Sequence, residues 1–388
     1  MILLIIFTGF LLLVYAGLLL YYRVSWTQIP LFELPVPPSK PSTFISVIIP
    51  ARNEEKTLPM LLDSLLSQTY PAHLFEVIVI DDYSTDETVS VVKKYPAYSI
   101  LSLKDFIPGA PINSYKKKAI ETGIANATGE LIITTDADCY AEPAWLETIA
   151  VFYESHHPSL IVMPVAINCS SRPIEIFQSL DFMTLQGITG ASVYKKIHSM
   201  CNGANLAYTR KAFEAVEGFK DIDRIASGDD MLLMHKIALA FPEGILFLKS
   251  PGVIVQTQPV HSVSAFLNQR IRWASKADKY DDKRIFWVLV LVYIFNVMML
   301  LLPLVSIFCD SRLPAFNYHW SILEIWLLLL LFKTLVELVF LYPVAVFFQK
   351  QNLLWLFPVA QPFHILYTVI AGWLGKFGTY KWKGRQVK

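Results

Sequence analysis

The chain has 388 residues, 54% of them hydrophobic, and a mean hydropathy of +0.45 is high for a soluble globular protein, so a membrane portion is expected. A net charge of +1 at pH 7 provides no concentrated basic surface, which excludes a nucleic acid polymer as a main partner. The four cysteines, Cys139, Cys169, Cys201 and Cys309, form no CxxC pair, which indicates isolated thiols rather than a disulfide framework or a zinc site.

An apolar stretch opens the chain, and it carries no charge before Arg23. About twenty apolar residues are enough to span the hydrocarbon core of a bilayer as a helix. The stretch lacks the basic start and the small-residue cleavage site of a signal peptide, so residues 1–23 are predicted to be a retained transmembrane anchor. Five prolines between residues 27 and 44 predict an extended linker over residues 24–44.

Residues 45–283 alternate β-branched apolar runs with helical segments, a pattern typical of an α/β domain with a mostly parallel sheet. A helix is predicted at about residues 58–68, and STDET at 84–88 offers capping side chains to another. The predicted strands are ISVIIP (45–50), FEVIVIDD (75–82), ELIITTDAD (130–138) and LIVMPV (160–165).

Membrane character returns over residues 284–376, for which two to three helices are predicted. Lys333 and Glu337 lie four residues apart and are expected to pair across one helical turn, which lessens the cost of placing either in lipid. Pro358 and Pro362 leave two forms open for the third apolar stretch, residues 353–375: a kinked helix or a re-entrant hairpin.

Basic residues near the apolar stretches predict the orientation. Arg23, Lys40 and Arg52 follow the first anchor and nothing basic precedes it, so the central domain is expected on the cytoplasmic side of the cytoplasmic membrane. The basic tail, residues 377–388, should also prefer the cytoplasm, although four spans would place it outside. A re-entrant third stretch removes this conflict and is the favoured interpretation.

Two carboxylates stand one residue apart at the end of the third predicted strand. The period of a strand predicts that Asp136 and Asp138 project to the same side, with Ala137 turned against the fold. Carboxylates held so close repel each other unless a cation lies between or beside them. Because hard divalent cations take oxygen ligands and bridge phosphate oxygens, the pair predicts a metal site.

Other candidate residues follow the first two predicted strands, in IIPARNEE and IVIDDYSTDE. Ligands of an open α/β sheet bind outside the carboxyl ends of its strands, where these segments could contact a nucleobase and a ribose. The candidates are Pro50, Ala51, Arg52, Glu54, Asp81 and Asp82.

Neither GxGxxG nor GxxxxGK[ST] occurs, which excludes a dinucleotide fingerprint and a P-loop. Phosphate groups must then be neutralised in another way, by a metal at Asp136 and by the ammonium groups of Lys116 and Lys117 in SYKKKAIETG. A lysine triplet alone is more often a solvated face.

The ordered set of motifs resembles a membrane-bound, inverting family-2 glycosyltransferase of the GT-A type. The resemblance runs from about residue 45 to residue 276 and rests on VIIPARNEE, VIVIDDYSTDET, KKKAIETG, TTDAD, CNGANLAY, GDD and QRIRW. It implies a Rossmann-like GT-A fold and a nucleotide-diphosphate sugar, expected to be a UDP-sugar, bound with Mg²⁺ or Mn²⁺ at Asp136 and Asp138. Asp82 matches the position that contacts the base, and Lys116 matches the lysine near it. Three residues match the acceptor-side segment of the family: Asn202, Gly203 and Asn205.

Two further motifs acquire roles through the resemblance. Asp229 and Asp230 precede an amphipathic helix, whose N-terminus favours anions, so capping explains one of them. Displacement at an anomeric carbon needs a base for the acceptor hydroxyl, and Asp230 matches the family's base, with Asp229 where the family often has Glu. In QRIRW, Gln269, Arg272 and Trp273 share one helix face, where the arginine could meet the departing phosphates and the tryptophan a sugar or lipid-linked acceptor. An interfacial helix with an aromatic anchor is the alternative.

The sequence thus predicts an integral membrane enzyme that transfers a sugar from a nucleotide-diphosphate sugar to a lipid or lipid-linked acceptor. A processive polysaccharide synthase is the close alternative, although such enzymes usually have more membrane helices. A non-catalytic membrane subunit that retains the fold, or a nucleotide-sugar pyrophosphorylase, would also account for part of the pattern. The pyrophosphorylase is disfavoured because IPARNEE is not a glycine-rich nucleotide loop.

Overall fold

The computed structural model of the protein describes residues 2–36, 40–107, 114–225, 228–275, 282–308, 312–315, 318–378, 380–382 and 385–387. Cys309, residues 37–39 of the predicted linker and parts of the predicted basic tail lie outside the described residues.

The strands of the described residues are β1 (Ile45–Ala51), β2 (Phe75–Asp81), β3 (Ser99–Ser102), β4 (Leu131–Thr134), β5 (Cys139–Tyr140), β6 (Leu160–Val162), β7 (Val165–Ile167), β8 (Leu206–Thr209), β9 (Ile245–Phe247), β10 (Val255–Thr257), β11 (Arg312–Ala315), β12 (Tyr318–Ser321), β13 (Tyr380–Trp382) and β14 (Arg385–Val387). The α-helices are α1 (Ile2–Gln28), α2 (Leu58–Leu66), α3 (Thr88–Val92), α4 (Leu103–Phe106), α5 (Tyr115–Asn126), α6 (Trp145–His156), α7 (Pro173–Tyr194), α8 (Arg210–Ala215), α9 (Met231–Ala240), α10 (Val263–Ala274), α11 (Lys283–Phe308), α12 (Ile322–Phe347) and α13 (Phe357–Phe377). Short 3₁₀ segments occur at Ala72–Leu74, Pro251–Val253 and Gln351–Leu356.

The chain divides into two compact units. The sheet unit contains residues 28–168 and 188–259, and the helix unit contains residues 1–27, 169–187 and 260–388. The central domain predicted over residues 45–283 therefore contributes two helical segments, one from α7 and one that includes α10, to the helix unit.

A seven-stranded sheet in the order β3-β2-β1-β4-β8-β6-β9 forms the centre of the sheet unit. The first four of these strands run parallel, as do β6 and β9, whereas β8 runs antiparallel to both of its neighbours. Ala51 pairs with Asp81, so β1 and β2 end at the same level. The predicted α/β fold with a mostly parallel sheet is confirmed, and the carboxyl ends of its parallel strands lie along one edge.

Two predicted strands differ from the structure. β4 ends at Thr134, so Asp136 and Asp138 lie in the turn after the strand rather than within it. LIVMPV is divided between β6 in the main sheet and β7 in a small sheet with β5 and β10. Pro164 lies between the two strands and has no N–H to donate to a ladder, which accounts for the break.

The helix unit contains the apolar helices. Four segments of the described chain are long and apolar enough to cross a membrane, judged by length and composition: Ile2–Gln28, Lys283–Phe308, Ile322–Phe347 and Gln351–Phe377. The long apolar helices expected at the N-terminus and in the C-terminal region are thereby confirmed as helices, and their role as membrane spans stays a prediction.

Contacts between rings give the relative directions of three of these helices. Along α1, Tyr22 lies 6.3 Å from Phe340 of α12, and Trp26 lies 5.5 Å from Phe347, so α1 and α12 run parallel. The α11 helix runs the opposite way. Its Phe295 lies beside Tyr15, which donates a hydrogen bond to Glu337 of α12. Met299, later in α11, accepts a hydrogen bond from Trp326, which comes earlier in α12. The ends at residues 28, 283 and 347 therefore lie at one end of the bundle.

A polar network is buried among these helices. Lys333 donates to Glu337 Oε1 at 2.6 Å, which confirms the predicted pair, and it also donates to Gln361 Oε1 at 2.7 Å. Glu337 in turn accepts hydrogen bonds from Tyr15 Oη and Gln361 Nε2. Because several partners share each charge, the network ties α1, α12 and α13 together at a lower cost than an isolated ion in lipid would have.

The third apolar stretch is a single helix, α13, preceded by a 3₁₀ turn, so the re-entrant hairpin is wrong. Pro358 stands in its first turn, where a missing N–H costs nothing, and Pro362 is accommodated within the helix. The aromatic core of this part of the unit joins Phe177, Phe266 and Tyr367.

Candidate active site

A cluster of charged side chains forms at the edge of the sheet where the parallel strands end. Lys116, at the start of α5, donates to Asp136 Oδ1 at 2.7 Å, and its Nζ lies 3.0 Å from Asp229 Oδ2. Burial alone would lower the pKa of Lys116, but the charges of Asp136 and Asp229 outweigh burial, so its pKa lies well above its ordinary value. The cation that the sequence required beside the carboxylates is thus, in part, supplied by the chain.

Asp230 completes this cluster and caps α9. Its Oδ1 accepts a hydrogen bond from Met231 N at 2.7 Å, and its Oδ2 accepts one from Gly203 N at 3.1 Å. The capping role that the sequence allowed for one of the two aspartates therefore falls to Asp230. A carboxylate has about four acceptor positions, so two backbone hydrogen bonds fix its orientation and still leave room for a proton from a ligand.

Gly203 brings the loop before β8 against the cluster. A Cβ at this position would lie 3.0 Å from Asp229 Oδ2 and 3.5 Å from Lys116 Nζ. A side chain here would crowd the Asp229 carboxylate, which would have to shift by a few tenths of an ångström, so glycine favours the close approach. Of the three residues predicted on the acceptor side, Gly203 is the one that the structure brings into this cluster.

The Asp136 and Asp138 pair lies on a turn closed by Cys139 N, which donates to Asp136 O. Both side chains are partly exposed while Ala137 is buried, so the predicted alternation holds although the strand has ended. Thr257 of β10 donates to Asp138 Oδ2 at 3.3 Å, a contact that no motif in the sequence indicated.

The carboxylate pair fits a divalent cation that takes its remaining ligands from a bound substrate. Among the described residues, no group of three or more His, Cys, Asp or Glu side chains could enclose a metal. Mg²⁺ is commonly held by one or two carboxylates together with substrate phosphates, so two aspartates suffice for that kind of site. Burial, followed by the charges of Asp138 and Asp136, raises the pKa of the Cys139 thiol.

Reciprocal hydrogen bonds join the loops that follow β1 and β2. Asn53 N donates to Ser84 Oγ at 3.0 Å, and Thr85 N donates to Asn53 Oδ1 at 2.8 Å. Asn53 and Tyr83 have φ values of 54° and 56°, left-handed conformations that these cross-links hold in place. The two loops therefore form one rigid rim at the carboxyl edge.

The donor-binding residues predicted at the ends of the first two strands lie on this rim or directly before it. Asp81 Oδ1 accepts from Ser84 N at 3.0 Å, and Arg52 donates to the carbonyl of Asp82 at 2.8 Å, with its guanidinium 3.8 Å from the Asp82 carboxylate. Ala51 O accepts from Asp82 N. Glu54 Oε2 accepts from Thr57 Oγ1, and Pro50 is half-buried in β1.

Tyr83 is a residue of this region that the sequence did not single out. Its hydroxyl donates to Ile107 O at 2.9 Å, and its ring meets that of Tyr115 edge to face at 5.8 Å. Since Tyr115 precedes Lys116, the contact links the rim to the charged cluster.

Two predicted site residues have structural roles instead. Lys117 is buried, and its Nζ donates to the carbonyls of Ile222 and Ile225 at 2.6 Å and 2.7 Å, so it does not lie in the cluster with Lys116. Neighbouring residues of a helix point about 100° apart, which is why the two lysines separate.

Asn205 is fully buried, so its side chain is not exposed to a sugar acceptor. It accepts a hydrogen bond from Trp145 Nε1 and donates to the carbonyls of Pro164 and Val253. Asn202 Oδ1 accepts from Ala204 N and closes the turn that presents Gly203.

QRIRW lies on α10 in the helix unit. Arg270, which the sequence did not select, forms a buried ion pair with Asp181 of α7, at 2.6 Å from Nη2 to Oδ2. Gln269 Oε1 accepts from Arg270 Nη1, and the Trp273 ring lies 4.2 Å from the Arg270 guanidinium.

Arg272 is half-buried, and no hydrogen bond or ion pair of its guanidinium occurs within the described residues. Asp181 also accepts a hydrogen bond from the hydroxyl of Tyr367.

Comparison with known proteins identifies the family. Residues 46–217 match the family model described as glycosyl transferase family 2. Poly(ribitol-phosphate) beta-N-acetylglucosaminyltransferase TarS of Staphylococcus aureus is 33% identical over 139 residues, which are 34% of this chain and only 23% of TarS. Dolichyl-phosphate beta-glucosyltransferase of Homo sapiens is 39% identical over 104 residues, 25% of this chain and 32% of that protein.

A longer match covers most of the chain. The dolichyl N-acetyl-alpha-D-glucosaminyl phosphate 3-beta-D-2,3-diacetamido-2,3-dideoxy-beta-D-glucuronosyltransferase of Methanococcus voltae is 28% identical over 315 residues, 78% of this chain and 92% of that protein. Among solved structures, the mannosyltransferase PcManGT from Pyrobaculum calidifontis, in complex with GDP-Man and Mn²⁺, superposes with a TM-score of 0.52 and 20% identity over 96% of this chain and 97% of that one. Residues 46–217 therefore form a glycosyl transferase family 2 domain, and the chain has the GT-A fold, as its motifs predicted.

Proposed function

We propose that the protein transfers a sugar, with inversion and with the help of a divalent metal, from a nucleotide-diphosphate sugar to a lipid or lipid-linked acceptor at the membrane. The observation that carries the proposal is the cluster of Lys116, Asp136, Asp229 and Asp230 at the carboxyl edge of the sheet. Long apolar helices in the same chain, and relatives named for dolichyl-linked sugars, support a lipid acceptor.

The donor is assigned to the rim and the cluster. Asp82, directly after β2, would meet the base, and Lys116 would meet the diphosphate. Asp136 and Asp138 would hold Mg²⁺ or Mn²⁺, which when bound neutralises the phosphate charge. PcManGT was solved in complex with GDP-Man and Mn²⁺, which supports a nucleotide-diphosphate sugar and a divalent metal as ligands of this fold. A UDP-sugar is the donor that we expect.

Asp230 is proposed as the base. It would take the proton of the acceptor hydroxyl as that oxygen bonds to the anomeric carbon and the bond to the diphosphate breaks. One displacement of this kind inverts the configuration. The hydrogen bonds from Met231 N and Gly203 N hold the carboxylate in a fixed direction, which favours proton transfer from a positioned hydroxyl.

The α10 helix is proposed to meet the leaving diphosphate and the acceptor. Arg272 offers its guanidinium to the phosphates, and Trp273 offers an aromatic face to a sugar or lipid. The stack of Trp273 on the buried Arg270 supports this role, because it fixes the ring against α10.

We further propose that the sheet unit is cytoplasmic. The helix ends at residues 28, 283 and 347 lie together, and Arg23, Lys283, Arg284 and Lys350 are near that end in the sequence, whereas Arg312 is the basic residue between α11 and α12. The end that is rich in basic residues should face the cytoplasm. In the chain, the first residues of the sheet unit follow α1 directly, at residue 28.

Helix α13 is proposed to stay in the cytoplasmic leaflet rather than to cross the membrane. Gln361 meets Glu337, ten residues before the end of α12, and Gly372 lies against Tyr293, ten residues after the start of α11. Both contacts are thus at a similar depth, although eleven residues of a spanning helix would change depth by about 16 Å. This arrangement gives three crossings and leaves the basic tail on the cytoplasmic side.

Labelling with a membrane-impermeant maleimide tests this topology. In a variant without native cysteines, a Lys388→Cys site should react in inside-out vesicles, and an Arg312→Cys site should react in right-side-out vesicles. Reaction of both sites in the same vesicle orientation would show that α13 crosses the membrane.

A screen of nucleotide sugars tests the function. The full chain in liposomes would be mixed with each donor and with candidate lipid acceptors, and free nucleoside diphosphate would be measured with and without a chelator. One donor should release diphosphate and give a lipid with one added sugar, and chelation should abolish the release. A ladder of growing products would favour a polysaccharide synthase, and no release with any donor would favour a non-catalytic subunit.

A further inference from the structure

Lys116 stands beside a carboxylate that the proposed metal would need. Its Nζ is 2.7 Å from Asp136 Oδ1 and 3.0 Å from Asp229 Oδ2. The Asp229 side chain is 11% exposed, whereas that of Asp136 is 37% exposed and open to an incoming ligand. The chain itself therefore supplies a cation at a position where a metal would bind.

We infer that Lys116 competes with the divalent metal for Asp136 and releases this carboxylate only when a nucleotide diphosphate takes the ammonium. Metal and nucleotide would then bind together, and the metal alone would bind weakly. The inference rests on the proposed function, because it takes Asp136 and Asp138 as ligands of a metal shared with the donor.

Competition follows from charge and distance at Asp136. Mg²⁺ takes its oxygen ligands at about 2.0–2.1 Å, and it would repel an ammonium held 2.7 Å from the same oxygen. A metal that binds alone must displace Lys116, which breaks the contacts of its ammonium with Asp136 and Asp229, or must bind beside it against the repulsion. Either way its affinity is lowered.

A diphosphate removes this obstacle, because it offers the ammonium other anionic oxygens. The ammonium has three N–H donors on a flexible stem, so it can turn from a carboxylate to a phosphate without movement of the backbone. Gly203 borders the ammonium, and even a Cβ there would make only an ordinary van der Waals contact with Lys116 Nζ, at 3.5 Å. Asp229 keeps one contact to the ammonium in a position shielded from solvent.

Mn²⁺ binding to the detergent-solubilised full chain tests the inference. Free Mn²⁺ would be followed by its electron paramagnetic resonance signal without nucleotide, with UDP and with GDP. The wild type should bind Mn²⁺ at least about tenfold more tightly with the nucleotide it accepts than without any. Lys116→Met and Lys116→Gln should each bind Mn²⁺ alone at least about tenfold more tightly than the wild type, and nucleotide should add less.

Lys118→Met is the matched control. Lys118 lies on the same helix, has a side chain that is 44% exposed, and pairs with Glu121 at 3.1 Å, so its loss should leave Mn²⁺ binding unchanged. Thermal unfolding would show which variants are folded. Folded Lys116 variants with unchanged or weaker binding of Mn²⁺ alone would overturn the inference and leave the proposed function standing. Failure of the wild type to bind Mn²⁺ even with UDP or GDP would overturn the metal dependence as well.

Discussion

Replacing Asp230 with asparagine should lower sugar transfer by about 10²- to 10⁴-fold, the range that a positioned general base supplies. The Asp230→Asn variant should keep the helix cap, because asparagine ranks with aspartate at this position and its side-chain oxygen can still accept from Met231 N. The variant loses the charge that takes the proton, and its amide nitrogen cannot accept the hydrogen bond that Gly203 N donates to Asp230 Oδ2. Nucleotide affinity, measured on the same preparation, should therefore stay close to that of the wild type.

Asp63→Asn is the control for this substitution. Asp63 is a carboxylate of the same unit that lies outside the cluster and accepts a hydrogen bond from the hydroxyl of Tyr95 at 2.8 Å, so its loss should leave transfer unchanged. Asp229→Asn distinguishes the role of Asp229 from that of Asp230. It weakens a contact of Lys116, so it should alter metal and nucleotide affinity more than the rate of transfer. Wild-type turnover by Asp230→Asn would refute the base assignment.

The sequence predicted best what depends on local pattern. The apolar runs of β1 and β2 stand out because central parallel strands are buried on both faces. The polar residues that follow them were placed at the sheet edge by the rule for parallel strands, and Lys116 and Asp136 do meet there. The alternation of Asp136, Ala137 and Asp138 was also predicted, but through a strand that ends at Thr134.

Contacts between distant segments could not be predicted in the same way. Lys116 and Lys117 cannot be told apart within a lysine triplet. Their roles differ because Lys117 donates to the carbonyls of Ile222 and Ile225, which are more than a hundred residues later in the chain. Asn205 belongs to a motif, yet its hydrogen bonds go to Trp145, Pro164 and Val253. A single sequence carries no signal for these partners.

The same limit applied to QRIRW. The search for residues on one helix face selected Gln269, Arg272 and Trp273 and passed over Arg270, whose partner is 89 residues earlier in the chain. The sequence did contain one indication of this ion pair. Asp181 is a single acid in the segment FQSLDFM of α7, and a charge among apolar side chains usually has a partner.

Breaking the pair of Arg270 and Asp181 should destabilise the helix unit more than any exposed substitution. Both side chains are 5% exposed, Arg270 Nε and Nη2 lie 2.9 Å and 2.6 Å from Asp181 Oδ2, and the guanidinium also packs on the rings of Phe266 and Trp273. Removing one partner leaves the other charge buried, which typically costs about 3–5 kcal/mol. Arg270→Met and Asp181→Leu should each lower the unfolding temperature of the detergent-solubilised chain.

A combined variant separates the buried charge from other effects of the substitutions. Arg270→Met with Asp181→Leu and Tyr367→Phe removes both charges and the hydroxyl that donates to Asp181, so it should recover most of the lost stability. The exposed pair of Arg284 and Asp282, at 2.7 Å, is the control, and Arg284→Met should change stability by no more than about 1 kcal/mol. Transfer by the combined variant should remain low even when its stability returns, because Gln269 and Trp273 have lost the guanidinium that holds them. Single variants that unfold at the wild-type temperature would show that the pair does not stabilise the unit.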